Sequence, residues 1–259
     1  MKKLIVGLFM MASLPIAFMA GCGSKNTTPS VPAAVATATP AAYAAPQTTP
    51  MAMVALNSAA DYVILSATGI TNSGPSTTCG GYAVYPAGLA SITGPPALVE
   101  SCGGDIDVAD TAAATAQGDL GAAYSDAMGR TGGATLPPGA DIGGQTLYPG
   151  LYMETGNLNI ASADLTLNGQ GNPNAVFIFQ VNGDLIVGPG RQIILANSAS
   201  AANIFWAVTG YGALNTTVSF KGNIMAHTAV TLNTGATLTG RALAKTADVT
   251  LLTNTITVP

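Results

Sequence analysis

Charged side chains are scarce in this sequence. Asp, Glu, Lys and Arg make up 8% of its 259 residues, against ~25% in an ordinary globular domain. The scarcity is lopsided. All 12 acidic residues lie at or beyond Asp61, where only Arg130, Arg191, Lys221, Arg241 and Lys245 oppose them, a net charge of −7. Phosphate backbones are gripped by clustered Lys and Arg, so nucleic acid is a poor partner. Histidine occurs once, as His227, with no neighbour in sequence from which a triad or a metal site could be assembled. Its counterpart in the repeat described below is Lys245, which places it at a solvated corner. The single tryptophan, Trp206, sits in an apolar strand and reads as core. The acids are scattered and Arg191, Arg241 and Lys245 are isolated. That argues against a polysaccharide lyase or hydrolase, which needs clustered carboxylates or a basic residue in a groove. No catalytic residue, cofactor or metal is expected.

Cysteine is also rare, with three residues, and the first belongs to a targeting segment. Lys2-Lys3 is a basic start, Leu4 to Ala20 is apolar, and Met19-Ala20-Gly21-Cys22 resembles a bacterial lipobox. Residues 1–21 therefore read as a lipoprotein signal peptide and Cys22 as the lipidated residue, outside the fold. Gly23 rather than Asp follows it, which resembles outer-membrane sorting if the cell has two membranes. The expected location is the cell envelope, with the domain facing outside or the periplasm. Cys79 and Cys102 remain. An exported compartment permits a disulfide, and an even remainder favours one. The alternatives are two free thiols or a metal pair, and neither cysteine has a His or a second Cys nearby. Residues 22–56 are rich in Pro, Ala, Thr and Ser with one Lys and no acid. Such a stretch buries too little apolar area to offset its ordering entropy and reads as a tether. The domain proper is expected over 57–259.

What the chain does have is glycine, alanine, threonine and short aliphatic runs. Gly222-Asn223-Ile224-Met225-Ala226-His227-Thr228-Ala229-Val230-Thr231-Leu232 returns as Gly240-Arg241-Ala242-Leu243-Ala244-Lys245-Thr246-Ala247-Asp248-Val249-Thr250-Leu251, offset by 18 residues at the glycine and 19 at Val-Thr-Leu. Asn203-Ile204 extends the repeat backwards by one step of 20. A repeat of this length is one turn of a β-solenoid, which buries its apolar face only by stacking on neighbours. After Leu136 come short strands bounded by Gly, Asn, Asp or Pro, among them Leu158-Asn159-Ile160, Leu165-Thr166-Leu167 and Leu185-Ile186-Val187. Val176 to Phe179 has no polar member and is expected to be buried on both faces. One segment differs. Ala109, Ala112, Ala113, Ala116, Leu120, Ala123, Tyr124 and Ala127 recur at helical spacing, Asp105, Asp107 and Asp110 stand at the start, and Gly129, Gly132 and Gly133 end it. A helix over about 108–129 is expected, with Gly118 and Gly121 allowing close approach to a sheet.

Several separate stretches are similar to one known family. Gly69-Ile70-Thr71-Asn72-Ser73-Gly74-Pro75, the helix ending Ala123-Tyr124-Ser125-Asp126-Ala127-Met128-Gly129-Arg130, Leu147-Tyr148-Pro149-Gly150-Leu151-Tyr152, Asn174-Ala175-Val176-Phe177-Ile178-Phe179-Gln180, Asn203-Ile204-Phe205-Trp206, Phe220-Lys221-Gly222 and Leu232-Asn233-Thr234-Gly235-Ala236-Thr237-Leu238 together resemble the ice-binding-like family of microbial secreted antifreeze proteins. The match runs in order from about Asn57 to Pro259. It implies a right-handed, discontinuous β-helix of triangular cross-section with one long helix packed alongside. It also implies binding to ice through a flat face, with no cofactor and no reaction. The chain departs from the family at Cys79-Gly80-Gly81-Tyr82-Ala83-Val84-Tyr85. Only a short loop, Thr93 to Gly104, is expected before the helix, too little for the larger capping subdomain of some members.

Alternation predicts the candidate face. With Val249, Leu251, Val230, Leu232, Leu158, Ile160, Leu185 and Val187 inward, the residues Asp248, Thr250, Ala229, Thr231, Asn157, Asn159, Asp184 and Ile186 point outward. The resemblance puts ice contact at this strand position, and Leu214 and Thr71 are added to the set. Thr228-Ala229-Val230-Thr231 and Thr234-Gly235-Ala236-Thr237 fit the Thr-(Ala/Gly)-x-(Thr/Asn) pattern of strongly active members. The expected partners are an ice surface and, through Cys22, a membrane, with the chain a monomer. A surface adhesin or glycan-binding module on the same fold is the alternative function.

Overall fold

The computed structural model describes residues 51–94 and 97–259. The expected signal peptide, Cys22 and the tether up to residue 50 lie outside the described residues. Apolar residues alternating with polar ones in runs of three to five produce short strands, and glycines or polar pairs between them turn the chain. Each turn lays down three such strands, one per face. Ile204–Val208 lies on face A, Gly212–Leu214 on face B, and the first half of Ser219–Ala226 on face C, before that strand crosses the corner to begin the next turn on face A. Neighbouring turns pair in parallel and in register: Phe177 with Ile204, Leu185 with Gly212, Ser219 with Thr237.

The stack does not follow chain order. Along face A the strands run Ala134–Thr135, Gly150–Glu154, Phe177–Val181, Ile204–Val208, Ser219–Ala226, Thr237–Ala244, then back to Tyr62–Ser66, Gly81–Val84 and Ile106–Val108. The N-terminal turns therefore sit on the C-terminal one. The discontinuity is bridged by the helix Thr111–Gly129, about 28 Å long at 1.5 Å per residue, which returns along a stack of strands about 38 Å deep. This is the expected β-solenoid with one flanking helix. Within the segment Thr93 to Gly104, expected as a loop, described residues instead form part of a further turn. Ile92–Thr93 pairs with Ile70 and Thr71 on face B, and Val99–Glu100 pairs with Thr77 and Thr78 on face C. Its strands are two residues each, too short to show a period.

The interior has two compartments. Inside the solenoid a ladder of rings runs from turn to turn, Tyr152 over Phe179 at 5.2 Å and Phe179 over Trp206 at 3.9 Å between centroids, and within one turn Trp206 meets Phe220 across the interior at 5.2 Å, tilted by 50°. The Trp206 Nε1 hydrogen finds the Lys221 carbonyl at 3.2 Å. The second compartment lies between face A and the helix, where Ala113, Ala116, Leu120, Ala123, Tyr124 and Ala127 meet Leu65, Ile178, Phe205, Met225 and Leu243. Phe177 and Phe179 thus point into the solenoid and Val176 and Ile178 towards the helix, the two-sided burial expected of this run. Val54 and Leu56 are buried in the helix-side compartment too, so the packed part begins before Asn57 and includes the end of the segment read as tether.

Hydrogen bonds lock the helix in place. Asp110 caps its start, Oδ1 accepting from the Ala113 N–H at 2.8 Å. From face A, Gln180 Nε2 donates to the carbonyls of Ala127 and Arg130, and Gln117 Nε2 donates from the helix to those of Ala244 and Lys245. Close approach comes from the alanines; a methyl at Gly118 would meet nothing within 4 Å, so that glycine does not serve packing. At the far end Cys79 and Cys102 are joined by a disulfide, with Cα atoms 4.8 Å apart. Beside it the Glu100 carboxylate accepts from the N–H groups of Gly80, Cys102 and Gly103, bonds that hold its pKa below the usual carboxylate value.

Two positions expose how the turns are seated. Gly222 and Gly240 carry strands over the corner between faces C and A at φ +111° and +148°, and they are stacked partners. A Cβ at Gly240 would land on the Gly222 carbonyl oxygen, so Gly240→Ala is expected to cost more than about 2 kcal/mol, read as a lower midpoint in chemical unfolding. In the first turn Asp141 accepts from the N–H groups of Gly143, Ala161 and Ser162 at 2.9, 3.1 and 2.9 Å. Burial alone would raise its pKa, but these bonds together outweigh burial and lower it. A depressed folded-state pKa stabilises above the unfolded value, about 3.9, and that stabilisation is lost as pH falls through the folded value. Asp141→Asn, which cannot titrate, should flatten the acid limb of a plot of melting temperature against pH.

Candidate functional site

Face A is covered by the helix, which leaves face B as the plane to which the sequence assigned its candidates. Its inward residues are aliphatic: Leu158 and Ile160, Leu185 and Val187, Val230 and Leu232, Val249 and Leu251, all buried. Between each inward pair stands one outward side chain, and parallel pairing brings these into a single column. In stacking order it runs Asp141, Asn159, Ile186, Ala213, Thr231, Thr250, Thr71 and Thr93. All are half-exposed or exposed. Adjacent members are one strand spacing apart, about 4.8 Å, so the last four form a row of threonines roughly 14 Å long.

Each β-branched threonine on a strand has few χ1 choices, and its neighbours above and below narrow them further. Thr250 Oγ1 donates to Asp248 Oδ2 at 3.0 Å. Thr71 and Thr93 hydroxyls lie 3.5 Å apart. The column is thus apolar in its middle, at Ile186 and Ala213, and hydroxylated towards the disulfide end. No cationic side chain belongs to it.

Of the residues predicted from sequence, Thr71, Asn159, Ile186, Thr231 and Thr250 stand in this column. Asn157, Asp184, Ala229 and Asp248 occupy the border one step before the inward strand residues. Two of these are engaged by the backbone. Asn157 Oδ1 accepts from the Asp184 N–H at 2.9 Å, and Asp184 Oδ1 accepts from the Tyr211 N–H at 3.1 Å. Their oxygens knit successive turns together. Leu214 is a correction: it is fully buried. It pairs with the inward Val187 and Leu232, and Ala213 takes the outward place. Gly212 stands where other turns carry an inward aliphatic, which disguises the alternation. The alignment of Gly212-Ala213-Leu214 on Val230-Thr231-Leu232, an offset of 18 residues, carries the right register. Thr93 and Asp141 were also missed. Ile92-Thr93 echoes Ile70-Thr71, and Ala140-Asp141-Ile142 alternates like its successor turns.

The opposite border is a polar seam that stiffens the face. Asn233 Nδ2 donates to Asn215 Oδ1 at 3.1 Å, Asn215 Nδ2 to the Val187 carbonyl at 2.8 Å, and Asn254 Nδ2 to the carbonyls of Asn233 and Ala236 at 2.9 Å each. His227, half-buried, lies with its ring 5.9 Å from that of Tyr124, on the helix side rather than on face B. Among the described residues no three His, Cys, Asp or Glu side chains gather in a way that could hold a metal ion. The arrangement is a nearly uncharged, rigid plane with a periodic line of small side chains, with none of the convergent polar groups of a concave reaction site.

The profile of the ice-binding-like family matches residues 64–257. An ice-binding protein of Flavobacterium frigoris (strain PS1) is 40% identical over 216 residues, covering 80% of this chain and 77% of the relative. One from Colwellia sp is 39% identical over 222 residues, covering 80% and 84%. Among solved structures, an ice-binding protein from an Antarctic biological consortium superposes with a TM-score of 0.76 at 35% identity, covering 83% of this chain and 95% of that one. The repeat, the stacking order, the returning helix and these likenesses agree: this chain belongs to the ice-binding-like family.

Proposed function

We propose that this chain binds ice through face B and catalyses no reaction. The observation that carries the reading is the in-register row Thr231, Thr250, Thr71 and Thr93, a stretch of the face B column that contains no charged side chain. Ice presents repeated oxygens and no net charge, so its surface is matched by regular spacing rather than by field. Strand stacking supplies a repeat of about 4.8 Å. A threonine hydroxyl both donates and accepts within a water lattice, and its methyl orders water without competing for hydrogen bonds. Ile186 and Ala213 extend the same plane with apolar groups. The interlocked borders keep the plane from rippling, so little ordering entropy is lost on adsorption. Adsorbed molecules pin the ice front, and growth between them has to curve, which lowers the local freezing point and slows recrystallisation.

The names of the relatives support this reading. The border carboxylates temper it. Asp184 is turned onto the backbone of the next turn, but Asp248 stays half-exposed beside Thr250, and a carboxylate holds water in its own geometry. Activity is therefore expected to be moderate. We further propose that Cys22 is lipidated and that the Pro/Ala/Thr segment after it holds a monomeric domain away from the envelope. Cys22→Ala should then move the expressed chain from the detergent phase to the aqueous phase on temperature-induced phase separation; a chain that stays aqueous with Cys22 present would refute the anchor.

The test of the ice reading is thermal hysteresis and recrystallisation inhibition of the purified chain. Thr250 stands between Thr231 and Thr71. Thr250→Tyr, a bulky group on an outward position, should abolish most of the hysteresis while shifting stability by no more than about 0.5 kcal/mol. A folded variant with unchanged hysteresis would show that face B is not the contact.

A further inference from the structure

Face C bears a second, denser hydroxyl array that the family resemblance did not draw attention to. On its strands Phe220, Leu238 and Ile256 point inward and are buried, and outward residues flank each of them. Pairing places these in two columns. One is Ser219, Thr237, Thr255 and Thr77; the other is Lys221, Thr239 and Thr257, ending at Cys79. Within a strand the two columns are about 6.7 Å apart, and between strands the step is about 4.8 Å. Face C therefore repeats in two dimensions, whereas the face B column repeats in one. The cation within these two columns is folded down onto the array: Lys221 Nζ donates to Thr239 Oγ1 at 2.9 Å and is half-buried. The disulfide closes the opposite side.

Threonine on a solvent-facing strand is ordinary, and its presence alone would carry nothing. What distinguishes this face is its continuity with face B. The edge between the two is itself lined with exposed hydroxyls, Thr216, Thr217, Thr234 and Thr253. The edge is held turn to turn: the Thr217 N–H donates to the Thr234 carbonyl at 3.0 Å, and the Gly235 N–H to the Thr253 carbonyl at 3.1 Å. Thr217, Gly235 and Thr253 share a left-handed conformation, φ +58°, +74° and +57°, so the bend is the same in successive turns. Following the chain, Thr231, Thr234, Thr237 and Thr239 in one turn, and Thr250, Thr253, Thr255 and Thr257 in the next, run without a charged side chain from face B around the edge and across face C.

We propose that face C is a second ice-contact surface, and that faces B and C meet two differently oriented crystal planes. The proposal rests on the ice reading of face B. Two rigid arrays set at an angle on one body cannot lie on one flat plane together. Each therefore selects its own plane, and where a step joins the two planes both engage, which raises avidity without any new contact chemistry.

The experiment uses the purified, fluorescently labelled full chain on a single-crystal ice hemisphere, together with thermal hysteresis. The wild type should decorate two families of planes. Thr255→Tyr should lose one family and keep the other, Thr250→Tyr should do the reverse, and each should lower hysteresis. If Thr255→Tyr melts below the wild type, Thr237→Tyr, one turn away in the same column, gives the same reading. A folded face C variant with wild-type hysteresis and an unchanged pattern of planes overturns the second surface and leaves face B standing. A wild-type chain that decorates no plane overturns both.

Discussion

The constraint on which everything else depends is the parallel, in-register pairing of one turn with the next. Peptide hydrogen bonds running along the axis force equivalent residues of successive turns to stand over one another. Any side chain that suits one turn must therefore tolerate its own kind as a neighbour. Rings stack inside, from Tyr152 through Phe179 to Trp206. Asparagines bond in series along the edge at Asn215 and Asn233. Threonines line up on the outside. Charge is what such a column accepts least, because like charges at strand spacing repel. The thin scatter of Asp, Glu, Lys and Arg follows from the architecture as much as from the nature of an uncharged target.

The same pairing governs which parts of the structure were legible in the sequence. The turns from Gly222 to Leu251 have both a clear period and inward aliphatics flanking each outward residue of face B, so the outward positions of Thr231 and Thr250 follow directly. Where a turn replaces its inward aliphatic, the alternation fails. Gly212 does this, and Leu214 was taken for a surface residue that the register buries. Where strands shrink to two residues, as at Ile92–Thr93 and Val99–Glu100, no period exists, and only knowledge of what they stack upon reveals them. The helix was legible because its alanines recur at helical spacing and Asp110 marks its start; its partners across face A were not, since Gln180 reaches it, and Gln117 reaches out from it, over long separations in sequence. The resemblance to a known family pointed to face B as the candidate plane, but not to the two-column character of face C, which depends on pairing Ser219–Ala226, Thr237–Ala244 and Thr255–Thr257 side by side.

Rigidity of the outer faces is thus inherited from the inside. The aromatic ladder and the buried aliphatics fix the spacing of the turns, the helix closes face A, and the asparagine seam straightens one border of face B. Each is a separate device, and none involves a charged pair across the surface. Among the described residues the ion pairs are peripheral, Arg130 with Asp126 beside the helix end and Arg191 with Asp164 at 4.0 Å. The plane offered to solvent is therefore held by interior packing and backbone bonds, which are insensitive to ionic strength.

The discontinuous stacking order has a consequence for how the molecule comes into being. The strands Tyr62–Ser66 and Gly69–Ser73 rest on Thr237–Ala244 and Asp248–Leu252, nearly the full length of the domain away in sequence. During synthesis the earliest turns emerge with apolar edges and no platform to receive them. The turns from Ala134 onwards can assemble progressively, each new one seating on the last, but the N-terminal pair docks only when the final residues arrive. Contacts of such long sequence separation slow folding and prolong exposure to aggregation. Among the described residues, the N-terminal strands gain their platform only when Thr237–Ala244 and Asp248–Leu252 are present.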